Sequence, residues 1–297
     1  MKIISNRKIW YAFSALLIGG SILATAVFGL KFGIDFTGGS LLTVQFEGDR
    51  PAVAEMRETL APLALGDVTI QPVGENDMSM RLATLDEDRH QVVLRAIRDA
   101  HGEIEELQFT SISPSIGKEL RTKSVTALVV ILIAILAYVA WGFRKVSAPV
   151  ASWKYGMLTL FAAFHDTVVP IGLFAALGYF YNVEIGTPFI AALLTILGYS
   201  INDTIVVFDR VRENLQRSTG SFSELVERSI QQTKLRSLNT SLTTLLTLVA
   251  VYLFGGASIR EFALALIVGI AVGTYSSIFI ASPLLVTVNN WKWRARS

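Results

Sequence analysis

Six long apolar runs separated by polar stretches organise the chain: Ile9–Leu30, Ser124–Phe143, Gly156–Phe180, Phe189–Phe208, Leu238–Phe254 and Phe262–Val288. A hydrocarbon core about 30 Å thick takes about 20 helical residues to cross, so each run predicts a membrane-spanning helix, the fifth being the shortest. The first run follows Lys2, Arg7 and Lys8, and its Ala24-Thr25-Ala26 has the form of a signal cleavage site. At about 22 residues it exceeds the ~7–15 of a signal-peptide core and reads as an uncleaved anchor.

Between the first two runs the pattern changes. Gly33-Ile34-Asp35-Phe36-Thr37-Gly38-Gly39-Ser40 carries a glycine pair that marks a tight turn, and Leu41–Phe46 alternates as a strand does. Arg50–Leu63 has helical spacing, with Val53, Met56 and Leu60 on one face. Val68–Pro72 and Met78–Ala83 read as strands, Leu85–Ala100 as a second amphipathic helix burying Val92, Val93, Ala96 and Ile97, and Ile104–Ile112 as a last strand. The order βαββαβ is that of a ferredoxin-like split βαβ unit. The division expected is a first transmembrane helix over 1–30, an extracytoplasmic α+β domain over 31–123, and the remaining helices over 124–297. His90 and His101 lie among charged residues and are expected to face water. The domain shows no catalytic constellation and is suited to contact.

Composition agrees with a polytopic membrane protein: 52% hydrophobic against 17% charged residues departs from soluble norms in both directions. The absence of cysteine excludes disulfides and thiolate metal sites, and neither a cofactor nor a metal is expected. A net charge of +2 does not point to nucleic acid. No Gly-x-x-x-x-Gly-Lys-Ser/Thr loop is present, so ATP is not the local energy source. The basic residues instead sort by side. Lys2, Arg7 and Lys8, then Arg144, Lys145 and Lys154, then Arg210, Arg212, Arg217, Arg228, Lys234 and Arg236, and finally Lys292, Arg294 and Arg296 all fall on one side of a six-span path. The positive-inside rule makes that side cytoplasmic, with both termini on it and 31–123 outside.

Asp203 is the candidate chemical group, since it sits inside the fourth apolar run. An ionised carboxylate there costs roughly 2.5–3.5 kcal/mol on insertion scales, and low dielectric disfavours its charged form. Such an acid suits a proton relay; the alternative is a carboxyl that only ties helices together. His165-Asp166 in the third run precedes Pro170, which cannot donate to the carbonyl of residue 166. Two readings stay open there, a second polar spot facing the bundle and a kinked helix with a satisfied His–Asp pair. The connection 209–237 alternates charge with apolar Phe222, Leu225, Val226 and Ile230, and is expected to lie along the membrane surface as an amphipathic segment. Arg236, Thr240, Thr243 and Thr247 share one helix face, a stripe that either lines a hydrated path or bonds neighbouring helices. Ala265, Gly269, Gly273, Ser277 and Ala281, every fourth residue of the sixth run, predict a close packing seam.

Several strings together resemble the SecF family of the bacterial Sec translocase, related to the RND transporters. They are Gly33-Ile34-Asp35-Phe36-Thr37-Gly38-Gly39, His165-Asp166, Ser200-Ile201-Asn202-Asp203-Thr204-Ile205-Val206-Val207-Phe208-Asp209-Arg210, Arg236-Ser237-Leu238-Asn239-Thr240-Ser241-Leu242-Thr243-Thr244 and Leu253-Phe254-Gly255-Gly256. The resemblance covers essentially the whole chain. It implies an α-helical polytopic protein of the bacterial inner membrane, with six transmembrane helices forming half of an RND-type bundle. It implies SecD as partner beside the SecYEG channel, with YajC, and unfolded preproteins as substrates drawn outward by the proton motive force. On the family's pattern Asp203 and Arg236 are proton-path positions, and His165, Asp166, Asn202, Asn239, Thr240 and Thr243 are supporting polar residues. A half-size RND-type small-molecule exporter would share this physics, although such exporters usually carry twice the spans and outer domains. An intramembrane aspartyl protease would need a Gly-x-Gly-Asp motif, which the residues before Asp203 do not form.

Overall fold

The computed structural model describes residues 2–144, 150–217 and 220–294, so that Lys145 and Arg296 of the basic set lie outside the described residues. Two compact units emerge, Phe32–Val125 and a helical unit built from Met1–Lys31 with Thr126–Ser297. Among the described residues, six helices are long and apolar enough to cross a membrane.

The chain begins with helix α1, Arg7–Phe28, followed by a single helical turn α2, Ile34–Thr37. Strand β1 (Gly39–Phe46), helix α3 (Val53–Leu60), strands β2 (Thr69–Val73) and β3 (Asp77–Leu82), helix α4 (Glu87–His101) and strand β4 (Ile104–Ile112) then form the smaller unit. Its sheet has the order β2-β3-β1-β4 with every neighbouring pair antiparallel. Leu42, Val44 and Phe46 of β1 and Met78, Met80 and Leu82 of β3 alternate into a core closed by Met56 and Leu60 of α3 and Val93, Leu94 and Ile97 of α4. The opposite face carries polar pairs such as Gln45–Asp77 (2.9 Å). The glycine pair is demanded by geometry. Gly38 has φ +76° and a side chain there would meet the Pro114 backbone at 2.7 Å, while Gly39 has φ +125° and faces the Leu82 carbonyl at 2.9 Å.

Two expectations for α4 fail. Val92 is exposed rather than buried, because the buried face is His90, Val93, Leu94 and Ile97. His90 is therefore not a solvent-facing residue: it is 3% exposed and stacks on Phe109 of β4 at 3.6 Å. Its Nδ1 bonds Glu87 at 3.3 Å, and Glu106 lies 3.4 Å from Nε2. His101 meets the Thr59 hydroxyl at 2.9 Å.

The larger unit continues with α5 (Pro114–Gly142), α6 (Ser152–Tyr181), α7 (Thr187–Arg217) and α8 (Phe222–Phe254). The sixth span consists of α9 (Ala257–Ser276), a π-helical turn over Ser277–Ala281, and α10 (Ser282–Arg294). Helices α6 and α7 and the sixth span are buried over half or more of their most apolar stretch, whereas α1, α5 and α8 are largely exposed. Close approach depends on small residues, as expected where packing replaces the hydrophobic effect. A side chain on Gly172 of α6 would come 2.4 Å from the Ser21 backbone of α1. On α9, Gly269 faces Ile196 and Gly273 faces Ser200, both on α7.

The expected surface segment over 209–237 is not a separate element. Helix α7 runs on to Arg217, and α8 starts at Phe222 and continues unbroken to Phe254, with residues 218 and 219 outside the described set. The start is set by a capping box: Ser221 Oγ accepts from the Glu224 amide at 3.3 Å, and Glu224 Oε2 accepts from the Ser221 amide at 3.1 Å. The apolar positions of the segment are covered by protein. Val226 and Ile230 pack with Val207 and Val211 of α7 and with Ile3 and Ile4 ahead of α1. Glu227 holds that N-terminal stretch by accepting the Ile3 and Ile4 amides at 3.1 and 2.8 Å.

Candidate functional site

The buried acids of the helical unit and the hydroxyls nearest them lie on α6, α7, α8 and α9. Asp166 of α6 is fully buried, and its carboxylate is the centre of a bonded cluster. Oδ2 accepts from the Ser276 hydroxyl of α9 at 2.7 Å and from the Ser200 hydroxyl of α7, and Oδ1 receives His165 Nδ1 at 2.8 Å. Ser276 is presented where the sixth span passes from an α-helix into the π turn, an irregularity found often at functional sites. Both oxygens of this carboxyl are thus engaged, and its contacts tie α6 to α7 and α9. His165 is also fully buried, and its Nε2 has no hydrogen-bond partner.

Ser200 links this cluster to Asp203, three residues further along α7, or about 4.5 Å of axial rise. Asp203 is 4% exposed and its Oδ2 makes no hydrogen bond. The neighbouring polar groups across the α7–α8 interface are Ser237, itself buried with an unpartnered Oγ, and the charge of Arg236. Asp203 and Arg236 do not form an ion pair; Arg236 is exposed on the outer side of α8. The two acids thus differ in kind. Asp166 is hydrogen-bonded through both oxygens, while Asp203 keeps a buried oxygen without a partner, a cost of about 1–3 kcal/mol for a buried unsatisfied group.

The remaining expected residues divide. His165 and Asp166 join the buried cluster as a polar spot facing the bundle. Asn202, Asn239, Thr240 and Thr243 are exposed on the outside of the helical unit. The stripe from Arg236 therefore lines no interior path within this chain. Its hydroxyls bond back to their own helix, Thr240 to the Arg236 carbonyl at 2.9 Å and Thr243 to Asn239 at 3.1 Å. Sequence reasoning missed Ser200, Ser237 and Ser276. Only Ser200 had a legible signal, its three-residue spacing from Asp203.

Comparison with known proteins agrees with the geometry. The model of the family "Protein export membrane protein SecD/SecF, C-terminal" matches residues 92–291, and that of the "SecD/SecF GG Motif" matches residues 23–49, which contain the Gly38-Gly39 pair. A protein translocase subunit SecF from Thermobaculum terrenum is 41% identical over 97% of this chain and 94% of its own length. The SecF subunit from Vibrio alginolyticus is 39% identical over 93% of this chain and 86% of its own. Among solved structures, SecDF from Thermus thermophilus, a translocon-associated membrane protein, superposes with a TM-score of 0.85 at 36% identity over 98% of this chain. SecDF in a super-membrane-facing form gives a TM-score of 0.70 at 35% identity over 100% of this chain. This chain spans 39% and 40% of those two SecDF chains. Six apolar helices, the GG turn and near-full-length identity to SecF subunits lead to one conclusion: the chain belongs to the SecF family of Sec protein-translocase subunits, multi-pass proteins of the inner membrane.

Proposed function

We propose that this chain works with SecD beside the SecYEG channel to couple the proton motive force to late steps of preprotein export, with Asp203 as the group that takes and releases the proton. The observation that carries the reading is the buried Asp203 carboxyl with an oxygen lacking a partner, one turn along α7 from Ser200, which bonds the second acid, Asp166 of α6. A proton crossing 100 mV releases about 2.3 kcal/mol. That energy shifts a conformational equilibrium only if the site is stabilised differently in two states. Neutral Asp203 tolerates the dry α7–α8 interface. Charged Asp203 requires water or a cation, and Arg236 on the next helix supplies the cation when the interface opens. Asp166, held by His165, Ser200 and Ser276, keeps α6, α7 and α9 in register during the cycle.

The SecD partnership is supported by the outer surface of the helical unit. Asn202, Arg236, Asn239, Thr240 and Thr243 are exposed there, and polar groups in hydrocarbon are stable only against another protein surface or water. The distribution of basic residues supports an orientation with both termini cytoplasmic and the Phe32–Val125 unit outside; in this reading that unit meets unfolded preprotein leaving the channel, and YajC is a further member of the assembly. The action is translocation, not covalent chemistry. Infrared difference spectroscopy of the reconstituted SecD complex tests the assignment. A protonated-carboxyl band that disappears in Asp203→Asn supports it, and an unchanged band would move the titrating group elsewhere.

A further inference from the structure

We propose that Asp203 exchanges protons with the N-terminal end of the helical bundle along a buried hydroxyl ladder on α8, Ser237, Thr233 and Ser229, ending at Asn214 of α7. The proposal rests on the reading of Asp203 as the titrating group and adds the path. Ser229, Thr233, Ser237 and Ser241 recur every fourth residue and are 0%, 5%, 1% and 3% exposed, so the inner face of α8 is lined with hydroxyls through the apolar bundle. At its upper rung the ladder meets the acid, where Asp203 Oδ2 and Ser237 Oγ are both buried and both without a hydrogen bond. At its lower rung Asn214, 7% exposed, donates to Ser229 Oγ at 2.8 Å and to Gln232 Oε1 at 3.0 Å. The hydroxyls of Ser229 and Thr233 donate to the carbonyls of Leu225 (2.7 Å) and Ser229 (2.9 Å), leaving both lone pairs of Thr233 Oγ1 and the second lone pair of Ser229 Oγ, beside the one Asn214 uses, to accept from a mobile donor.

Consecutive rungs are about 6 Å apart along the helix. That is too far for a direct O–H···O bond of about 2.8 Å but fits two such bonds end to end through one bridging water. Whether the waters enter is decided by the side chains beside the rungs. Val226 and Ile230 share the face of α8 with the ladder, and Val207, Val211, Ile3 and Ile4 pack on them in one apolar cluster. With the cluster closed the ladder is dry. When α7 and α8 part, water fills it and Asp203 reaches the aqueous end. The Arg236–Thr240–Thr243–Thr247 stripe, rotated to the outside, is not this path.

The test is proton flux into liposomes holding the complete complex with its SecD partner, under an imposed pH gradient and potential, read with an entrapped pH dye. Thr233→Val and Ser237→Ala should each slow the flux about ten-fold, an effect the size of one lost hydrogen-bonding step. Thr233→Ser and Ser237→Thr should retain it. Full flux through the Val and Ala variants, while Asp203→Asn abolishes it, overturns the ladder and leaves the coupling role intact. Full flux through Asp203→Asn overturns both. Equal loss in Thr233→Val and Thr233→Ser would indicate packing and overturn the ladder. So would loss in Thr240→Val and Thr243→Val with Thr233→Val unaffected.

Discussion

Gly172→Ala is the sharpest test of how the helical unit is held together. A methyl group at this position of α6 would sit 2.4 Å from Ser21 Cα and Cβ and 2.7 Å from the Ser21 carbonyl oxygen. Non-bonded carbons rest at about 3.5–4.0 Å, so α1 must withdraw by ~1 Å or more. The obstructing atoms are mainly backbone, which no rotamer change can move. Overpacking of this kind costs about 1–3 kcal/mol, and here the upper part of that range is expected because a whole helix shifts. For chains of comparable size each kcal/mol lowers Tm by about 2–4 °C, so a fall of roughly 4–12 °C is predicted. The assay is thermal unfolding of the purified SecD complex in detergent, followed by retention of the monodisperse peak. No substitution of the Ser21 side chain should restore stability, since its Cα and carbonyl remain. A Gly172→Ala protein as stable as wild type would refute the close α1–α6 contact.

Other outcomes follow from the same contacts. Gly269→Ala places a methyl 2.2 Å from Ile196 Cδ1, so it should destabilise the unit by about 1–3 kcal/mol, and Ile196→Ala in the same chain should restore much of the loss. If the double variant is no better than the single one, the α7–α9 seam is misassigned. Glu227→Ala leaves the Ile3 and Ile4 amides without their acceptors. It should cost about 1–3 kcal/mol and speed proteolysis before α1, and an unchanged cleavage rate would count against the N-terminal clasp. Hydrogen bonds from Gln91 and His90 hold the Glu87 carboxyl below the usual carboxylate range. A folded-state pKa so lowered contributes stability above the unfolded value and loses it as pH falls through the folded one. Glu87→Gln should therefore flatten the acid-side decline in thermal stability of the whole protein; an identical pH profile would exclude the contribution.

Much of the architecture was legible because the physics behind it is one-dimensional. A run long enough to cross hydrocarbon can be counted, and the six runs became six helices. Strand β4 matched its expected bounds, Ile104–Ile112, because alternation and flanking breaks are local. The start of α8 was misjudged where two local signals competed. The alternating charges of 209–237 suggested a surface segment, while the Ser221–Glu224 capping box was the decisive one. His90 was misread from its charged neighbours, although its spacing of three, four and seven residues to Val93, Leu94 and Ile97 already placed it inward.

The candidate site divides in the same way. Burial of Asp203 followed from its place in an apolar run. Its surroundings depend on how helices are rotated, which no single segment encodes. Ser276 reaches Asp166 because α6 and α9 pack face to face beside a π turn. The polar side chains on the interior face of α8 are Ser229, Thr233, Ser237 and Ser241, while Arg236 and Thr240 face outward. One residue, about 100° of rotation, separates the inner face from the outer.

The most direct measurement is export of a preprotein into inverted membrane vesicles, with SecA and ATP supplied for initiation and the proton gradient then imposed or collapsed. The account predicts that vesicles carrying Asp203→Asn insert and assemble with SecD as wild type does, begin translocation normally, and complete it at the same slow rate with or without the gradient. If the Asn variant completes export with the full gradient-dependent acceleration of wild type, Asp203 is not the coupling group and the buried carboxyl only ties helices together.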